Sequence, residues 1–236
     1  MNTNSNTYTI AYSAVMVVVV AFLLAFVFSA LKPTQDKNVA LDKKKQILYA
    51  LNIRGLANEE AAAKYAEVVL ADDIIGKDGK VLQKGTRGGE NAGFKAGSAE
   101  SKEGKLALYV CKVDGETKYV MPVYGNGLWG PISGYIAVNE DKATIYGAYF
   151  NHESETAGLG AEIKDNAEWQ AKFRGKSLFA GERDNTIDLA VLKKSEVKDN
   201  TTQVDGVTGS TLTSNGVSDM LRDGLGAYIE FLNAKQ

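Results

Sequence analysis

The chain has 236 residues, 27 Lys and Arg against 29 Asp and Glu, a net charge of −2 and an isoelectric point of about 5.6. With a membrane segment set aside, that length suits one globular domain, and the charge balance excludes the basic face of a nucleic-acid binder. A single cysteine, Cys111, and a single histidine, His152, exclude an intrachain disulfide framework, a cysteine-rich zinc site and a typical histidine-built one.

Residues 10–31, IAYSAVMVVVVAFLLAFVFSAL, contain no charge over 22 positions. At 1.5 Å per residue a helix of that length spans the hydrocarbon core of a bilayer, about 30 Å. The run exceeds the apolar core of a cleaved signal peptide, and Phe28-Ser29-Ala30 lacks a small-x-small cleavage pattern. An uncleaved anchor over 1–32 is therefore expected, with Tyr8 and Tyr12 near one interface and Lys32 at the other. No Lys or Arg precedes the span, whereas Lys32, Lys37, Lys43, Lys44 and Lys45 follow it. The positive-inside rule taken alone keeps the C-terminal part in the cytoplasm.

A helical connector is expected over 33–75, with a short helix at 42–51 and an Ala- and Glu-rich one at 57–71. Strand signals follow, and a sheet domain is expected over 76–236. Asp78-Gly79 and Asp114-Gly115 each sit between strand-like flanks and predict hairpin turns. Residues 87–104 are polar and glycine-rich, which predicts an irregular surface loop. Residues 132–138 and 144–150 form another candidate strand pair, 166–173 a helix capped by Asp165 or Asn166, and 187–192 a strand. The last helix is expected from 215 to 233, with Val217, Met220, Leu221, Leu225, Tyr228, Ile229 and Leu232 on one face and Thr213 or Ser214 as cap. Hairpin-linked strands with flanking helices predict an α+β fold, a mainly antiparallel sheet behind one transmembrane helix.

Three glycine-containing segments are candidate sites. In YGNGLWGPISGY, 124–135, four glycines surround Leu128 and Trp129, which suits either a core-plugging tryptophan or a flat aromatic surface beside a close backbone approach. In ETAGLG, 155–160, the alternatives are a polar turn and a ligand loop whose N–H groups face an acceptor. In DGVTGSTLTS, 205–214, five of ten residues carry a hydroxyl directly before a helix. Capping explains Thr213 or Ser214; Thr208, Gly209, Ser210 and Thr211 are left over, and glycine with small hydroxyl residues at a helix start suits a phosphate.

DGVTGST, Asp205 to Thr211, resembles the flavinylation motif D-G-x-(S/T)-G-A-T of bacterial flavin transferase substrates. Together with the N-terminal span, GLW at 127–129 and ETAGLG, the chain resembles, from end to end, the family of C subunits of the sodium-translocating NADH:quinone reductases. The G subunit of the Rnf electron-transport complex is the nearest related alternative. Ser210 stands where the motif usually has alanine, and Ala157 where the family often has proline; Ser210 adds a second hydroxyl beside the acceptor.

The resemblance implies FMN joined through a phosphodiester to Thr211, with Gly209 and neighbouring N–H groups at the phosphate, Leu128, Trp129, Thr156 and Leu159 near the ring, and Thr208, Ser210, Thr213, Glu155 and Gly158 as further cofactor-binding residues. It implies a membrane-bound electron carrier with no catalytic acid or base, maturation by a flavin transferase, and transfer to the flavin of the B subunit among the other members of the complex. The flavin domain would face the periplasm from the bacterial inner membrane, against the lysine bias. Two other readings remain: a non-redox anchored domain that holds a phosphorylated ligand reversibly, and a hydrolase using a loop hydroxyl with His152 or Glu155 as base.

Overall fold

The computed structural model describes residues 5–183 and 185–234; residues 1–4 of the expected anchor and residues 184, 235 and 236 of the expected sheet domain lie outside them. The chain divides into two compact units, Met1–Lys43 and Lys44–Gln236.

The first unit is helical from Asn6 onward, part of α1 (Asn6–Ala50), which is long and apolar enough to cross a membrane. Val17, Val18, Phe22, Leu24 and Phe26 are all exposed. Pro33 lies within the helix just after the apolar run.

The expected separate helix at 42–51 is instead the last part of α1, because no Gly falls between the apolar run and Ala50 and Pro33 is accommodated within the helix. Its final turns belong to the second unit, where Ile47, Leu48 and Leu51 are buried. Helix α2 (Asn58–Val68) ends before the expected boundary at 71, since Val69, Leu70 and Ala71 open strand β1 (Val69–Ile75). Their β-branched and apolar side chains pack better on a pleated surface than in another helical turn. The stretch read as a helical connector thus contains a sheet strand.

That sheet adds β2 (Val81–Gln83), β3 (Leu106–Val113), β4 (Glu116–Asn126), β5 (Pro131–Asn139) and β6 (Ile145–His152), in the order β2-β1-β3-β4-β5-β6. Every neighbouring pair is antiparallel. Asp114 (φ 52°) and Gly115 (φ 86°) make the β3–β4 turn, as the Asp-Gly signal predicts. Side chains alternate across the sheet. One face carries Leu108, Met121, Val123, Ile136 and Phe150 into the main core. The other carries tyrosines: the Tyr109 and Tyr135 rings lie 6.4 Å apart, and Tyr149 meets Tyr49 at 5.4 Å.

Residues 87–104, expected as a surface loop, pack inward instead. Ala92, Phe94 and Ala96 are buried, and Ser98–Lys102 forms a short helix, α3. Asp72 on β1 is fully buried, and its carboxylate accepts hydrogen bonds from the backbone N–H groups of Thr86, Asn91, Ala92 and Phe94. The loop is irregular because its donors are divided between the Asp72 side chain and isolated β1 carbonyls, Gly88 N donating to Val69 O and Gly93 N to Asp72 O, rather than a regular ladder.

The core face is covered by α4 (Glu162–Asp165), α5 (Ala167–Ala171) and α6 (Thr211–Gly226), followed by α7 (Ile229–Asn233). Asn166 caps α5 as expected, accepting from Trp169 N at 2.9 Å. Only Ala190–Leu192 of the expected 187–192 strand forms a ladder, β7, and its partner β8 (Gln203–Asp205) is parallel, a pairing with no local turn to announce it. The last helix starts four residues earlier than expected, at Thr211 rather than Asn215, so the N-cap position falls to Ser210 and the expected caps Thr213 and Ser214 lie inside the first turn. It breaks at Ala227–Tyr228, where the Tyr228 hydroxyl turns in to donate to Ala107 O at 2.8 Å.

Candidate functional site

The site lies where β4, β5, β6 and α6 end or begin together. The β4–β5 turn holds Gly127-Leu128-Trp129-Gly130, closed by Gly127 N donating to Gly130 O at 2.8 Å. Beside it, β6 runs out into 153–160, and Ser154 Oγ donates to Trp129 O at 2.8 Å. The next residue, Glu155, is only 8% exposed. Its Oε1 accepts from Trp129 N at 2.9 Å and its Oε2 from Thr213 Oγ1 at 2.6 Å. One carboxylate thus joins all three glycine-containing segments. A Cβ at Gly160 would lie 2.3 Å from Oε2, and one at Gly127 2.4 Å from Oε1, so both positions need glycine for the carboxylate to fit.

The loop before α6 is fixed at its base. Asp205 pairs with Lys172 at 2.7 Å and accepts from Trp169 Nε1 through its carbonyl at 2.8 Å. Gly206 N donates to Leu192 O, and Val207 N to Ser214 Oγ. Gly209 then adopts φ +79°, a left-handed conformation that other residues avoid. Around it, the N–H groups of Thr208, Gly209, Thr211, Leu212 and Thr213 have no protein acceptor among the described residues. Unpaired N–H groups beside a left-handed glycine, at the start of a 16-residue helix, have the chemistry that suits an anion.

A cleft of about 380 Å³ opens over this loop, lined by Leu128, Trp129, Glu155, Thr156, Leu159, Gly160, Gly209, Ser210, Thr211, Leu212 and Thr213. Nine of these eleven are among the residues singled out from the sequence; Gly160 and Leu212 were not. Leu212 is 60% exposed and Trp129 66%, so the rim is apolar and open. An apolar side chain off the buried stripe of α6 is the sequence signal that could have found Leu212.

Thr208 and Gly158 do not join that cleft. Both line a separate one of about 330 Å³ beside Trp169 and Lys172. Thr208 also lines a third, of about 490 Å³, together with Gly209, Thr211, Asn215, Lys193 and Lys194. Periodicity gave no sign of Lys193 or Lys194. Thr211 lies on the wall common to the first and third clefts.

Of the loop hydroxyls, Ser210, Thr213 and Ser214 are buried, while Thr211 is partly exposed. His152 does not line the clefts around Thr211; its Nδ1 accepts from Glu155 N at 3.2 Å. Both Glu155 oxygens are engaged elsewhere, so neither residue is arranged as a base for Thr211. No group of three or more acidic, histidine or cysteine residues that could hold a metal occurs among the described residues. Burial pushes the Cys111 thiol far above its usual range, so it is not a reactive thiolate.

Residues 127–226 match the FMN-binding domain family. That interval begins at the glycine turn and ends with α6, so it takes in the first segment from Gly127 onward and the other two entirely. The chain is 32% identical over 250 residues to the C subunit of the Na(+)-translocating NADH-quinone reductase of Haemophilus ducreyi, covering 97% of this chain and 95% of that one. To the C subunit of the Pseudomonas aeruginosa enzyme it is 32% identical over 254 residues, covering 97% and 96%. The crystal structure of the C subunit from Parabacteroides distasonis superposes with a TM-score of 0.78 at 36% identity, covering 87% of this chain and 98% of that one. The chain therefore belongs to the family of C subunits of the Na(+)-translocating NADH-quinone reductases.

Proposed function

We propose that the chain is the membrane-anchored electron-carrying subunit of a sodium-translocating NADH:quinone reductase, with FMN joined by a phosphodiester to Thr211. The observation that carries this reading is the position of Thr211: a partly exposed hydroxyl on the wall of an apolar cleft, directly after Gly209 and beside unpaired N–H groups. An acceptor for a modifying flavin transferase has to be reachable, and the neighbouring Ser210 is not. This favours Thr211 over the extra hydroxyl that Ser210 brings to the motif.

FMN, when bound, supplies the electron-carrying chemistry. The chain's own residues supply position. The N–H groups of Gly209, Thr211 and Leu212 hold a phosphate, with Ser210 and Thr213 fixing the turn and Thr208 at its outer edge. Leu128, Trp129, Thr156, Leu159 and Leu212 offer an apolar seat for the ring, and Gly158 lets the 156–161 turn close beside it. Glu155 reaches the cofactor only through what it braces. The open rim leaves one edge of the seat accessible to a partner protein, for which the flavin of the B subunit is the proposed electron acceptor. Helix α1 serves as the anchor and the flavin domain faces the periplasm. There a covalent tether prevents loss of the cofactor into a compartment without a pool to replace it.

Denaturation separates this reading from reversible binding of a phosphorylated ligand. Protein co-expressed with a flavin transferase, unfolded in denaturant and run on a gel, is expected to keep its flavin fluorescence. Fluorescence that leaves with the small-molecule fraction would contradict the covalent link.

A further inference from the structure

We propose that the cleft bordered by Lys193 and Lys194 is the phosphate subsite of the flavin tether, supplying the counter-charge that the apolar cleft lacks. This rests on the reading of Thr211 as the attachment point. Three clefts meet the loop 206–211, and they differ in charge. The apolar cleft has one ionisable lining residue, Glu155, an anion already bound on both oxygens. The cleft beside Trp169 carries Glu162, Glu168 and Asp205 against the single cation Lys172, which is itself paired with Asp205. The third cleft carries Lys193 and Lys194 and no acidic residue.

A phosphodiester keeps one negative charge at neutral pH, and a free FMN phosphate close to two. Thr211 borders both the apolar and the cationic clefts, so an anion on its Oγ1 lies between them. Only the lysine side favours it electrostatically. Lys194 has no carboxylate partner within ion-pair distance among the described residues, and Lys193 reaches Glu196 only at 4.0 Å, with both side chains more than half exposed. These ammonium groups are free to turn toward an incoming phosphate at little cost in existing contacts. The division of labour is chemical: ring on the Trp129 side, phosphate toward the lysine side, and Thr211 at the border.

The test uses the full chain in detergent. As Thr211→Val, which carries no acceptor hydroxyl, it is titrated with FMN and with riboflavin, which differ only in the phosphate. FMN is expected to bind more tightly, by on the order of tenfold at low ionic strength. That preference should disappear in Lys193→Gln/Lys194→Gln and in molar salt. Equal affinity for the two flavins, or a preference that survives removal of both lysines, overturns the subsite. If neither flavin binds measurably, the phosphorus resonance of the covalently loaded wild-type chain decides. A shift on replacing both lysines supports the proposal, and an unchanged resonance rejects it. Covalent loading is read separately, from intact mass. A loaded chain that ignores the lysines rejects the subsite alone. An unloaded wild type that still shows lysine-dependent preference for FMN rejects the tether alone. A chain that neither loads nor binds rejects both.

Discussion

Glu155 holds the site together because its two oxygens serve different segments. Replacing it by alanine would leave Trp129 N–H and the Thr213 hydroxyl without their acceptor. Two such losses predict a drop in unfolding free energy of about 2–4 kcal/mol, read from the urea midpoint. A Glu155→Ala chain as stable as wild type would show that the carboxylate braces nothing. Trp129 is the opposite case. It is 66% exposed, so Trp129→Ala should change stability by less than about 0.5 kcal/mol. Loss of its ring should instead shift the flavin fluorescence and midpoint potential; no change in either would remove Trp129 from the ring seat. The glycine and hydroxyl spacing of all three segments was legible in the sequence, because turn and cap chemistry is local. The brace was not, since it joins residues 58 positions apart. Lys193 and Lys194 were missed for a related reason: the parallel pairing of β7 with β8 brings them to the loop, and nothing local announces it.

At the scale of elements, the hairpins were readable from Asp-Gly turns between strand-like flanks, whereas the order of 87–104 was not, because it comes from contacts distant in sequence, chiefly the buried Asp72 carboxylate. Asp72→Ala would orphan four backbone N–H groups and should cost more than about 3 kcal/mol. Hydrogen exchange is expected to lose protection at Asn91, Ala92 and Phe94 first; retained protection there would contradict the anchoring role. The tyrosine face of the sheet gives a pH prediction. Burial, reinforced by Glu100, pushes the Tyr124 phenol up to about 12 from an ordinary value of 10. Burial also raises Tyr65, Tyr109 and Tyr228. A raised folded-state pKa means that the stabilisation is complete below pH 10 and lost as pH rises toward 12 and beyond, because the unfolded chain releases those protons first. Urea melts between pH 9 and 12 should therefore show stability declining only above about 10. A flat profile would contradict burial of these phenols.

For the whole molecule, the charge bias and the proposed periplasmic placement point to opposite sides. Five lysines follow the apolar run and none precedes it, which favours a cytoplasmic domain. Long domains cross membranes largely regardless of such bias, and a covalently tethered cofactor is most useful where none can be resupplied. A reporter fused after Gln236 that is active only in the cytoplasm is accordingly expected to be silent, and its activity would contradict the periplasmic assignment.

The central claim is the bond at Thr211. The most direct measurement is the intact mass of the fully unfolded chain after co-expression with a flavin transferase, beside the Thr211→Val variant. The account predicts a wild-type chain heavier by one FMN less one water and an unshifted variant. Flavin on both chains would move the bond to another hydroxyl of the loop, and a wild-type chain of unmodified mass would contradict the covalent flavoprotein.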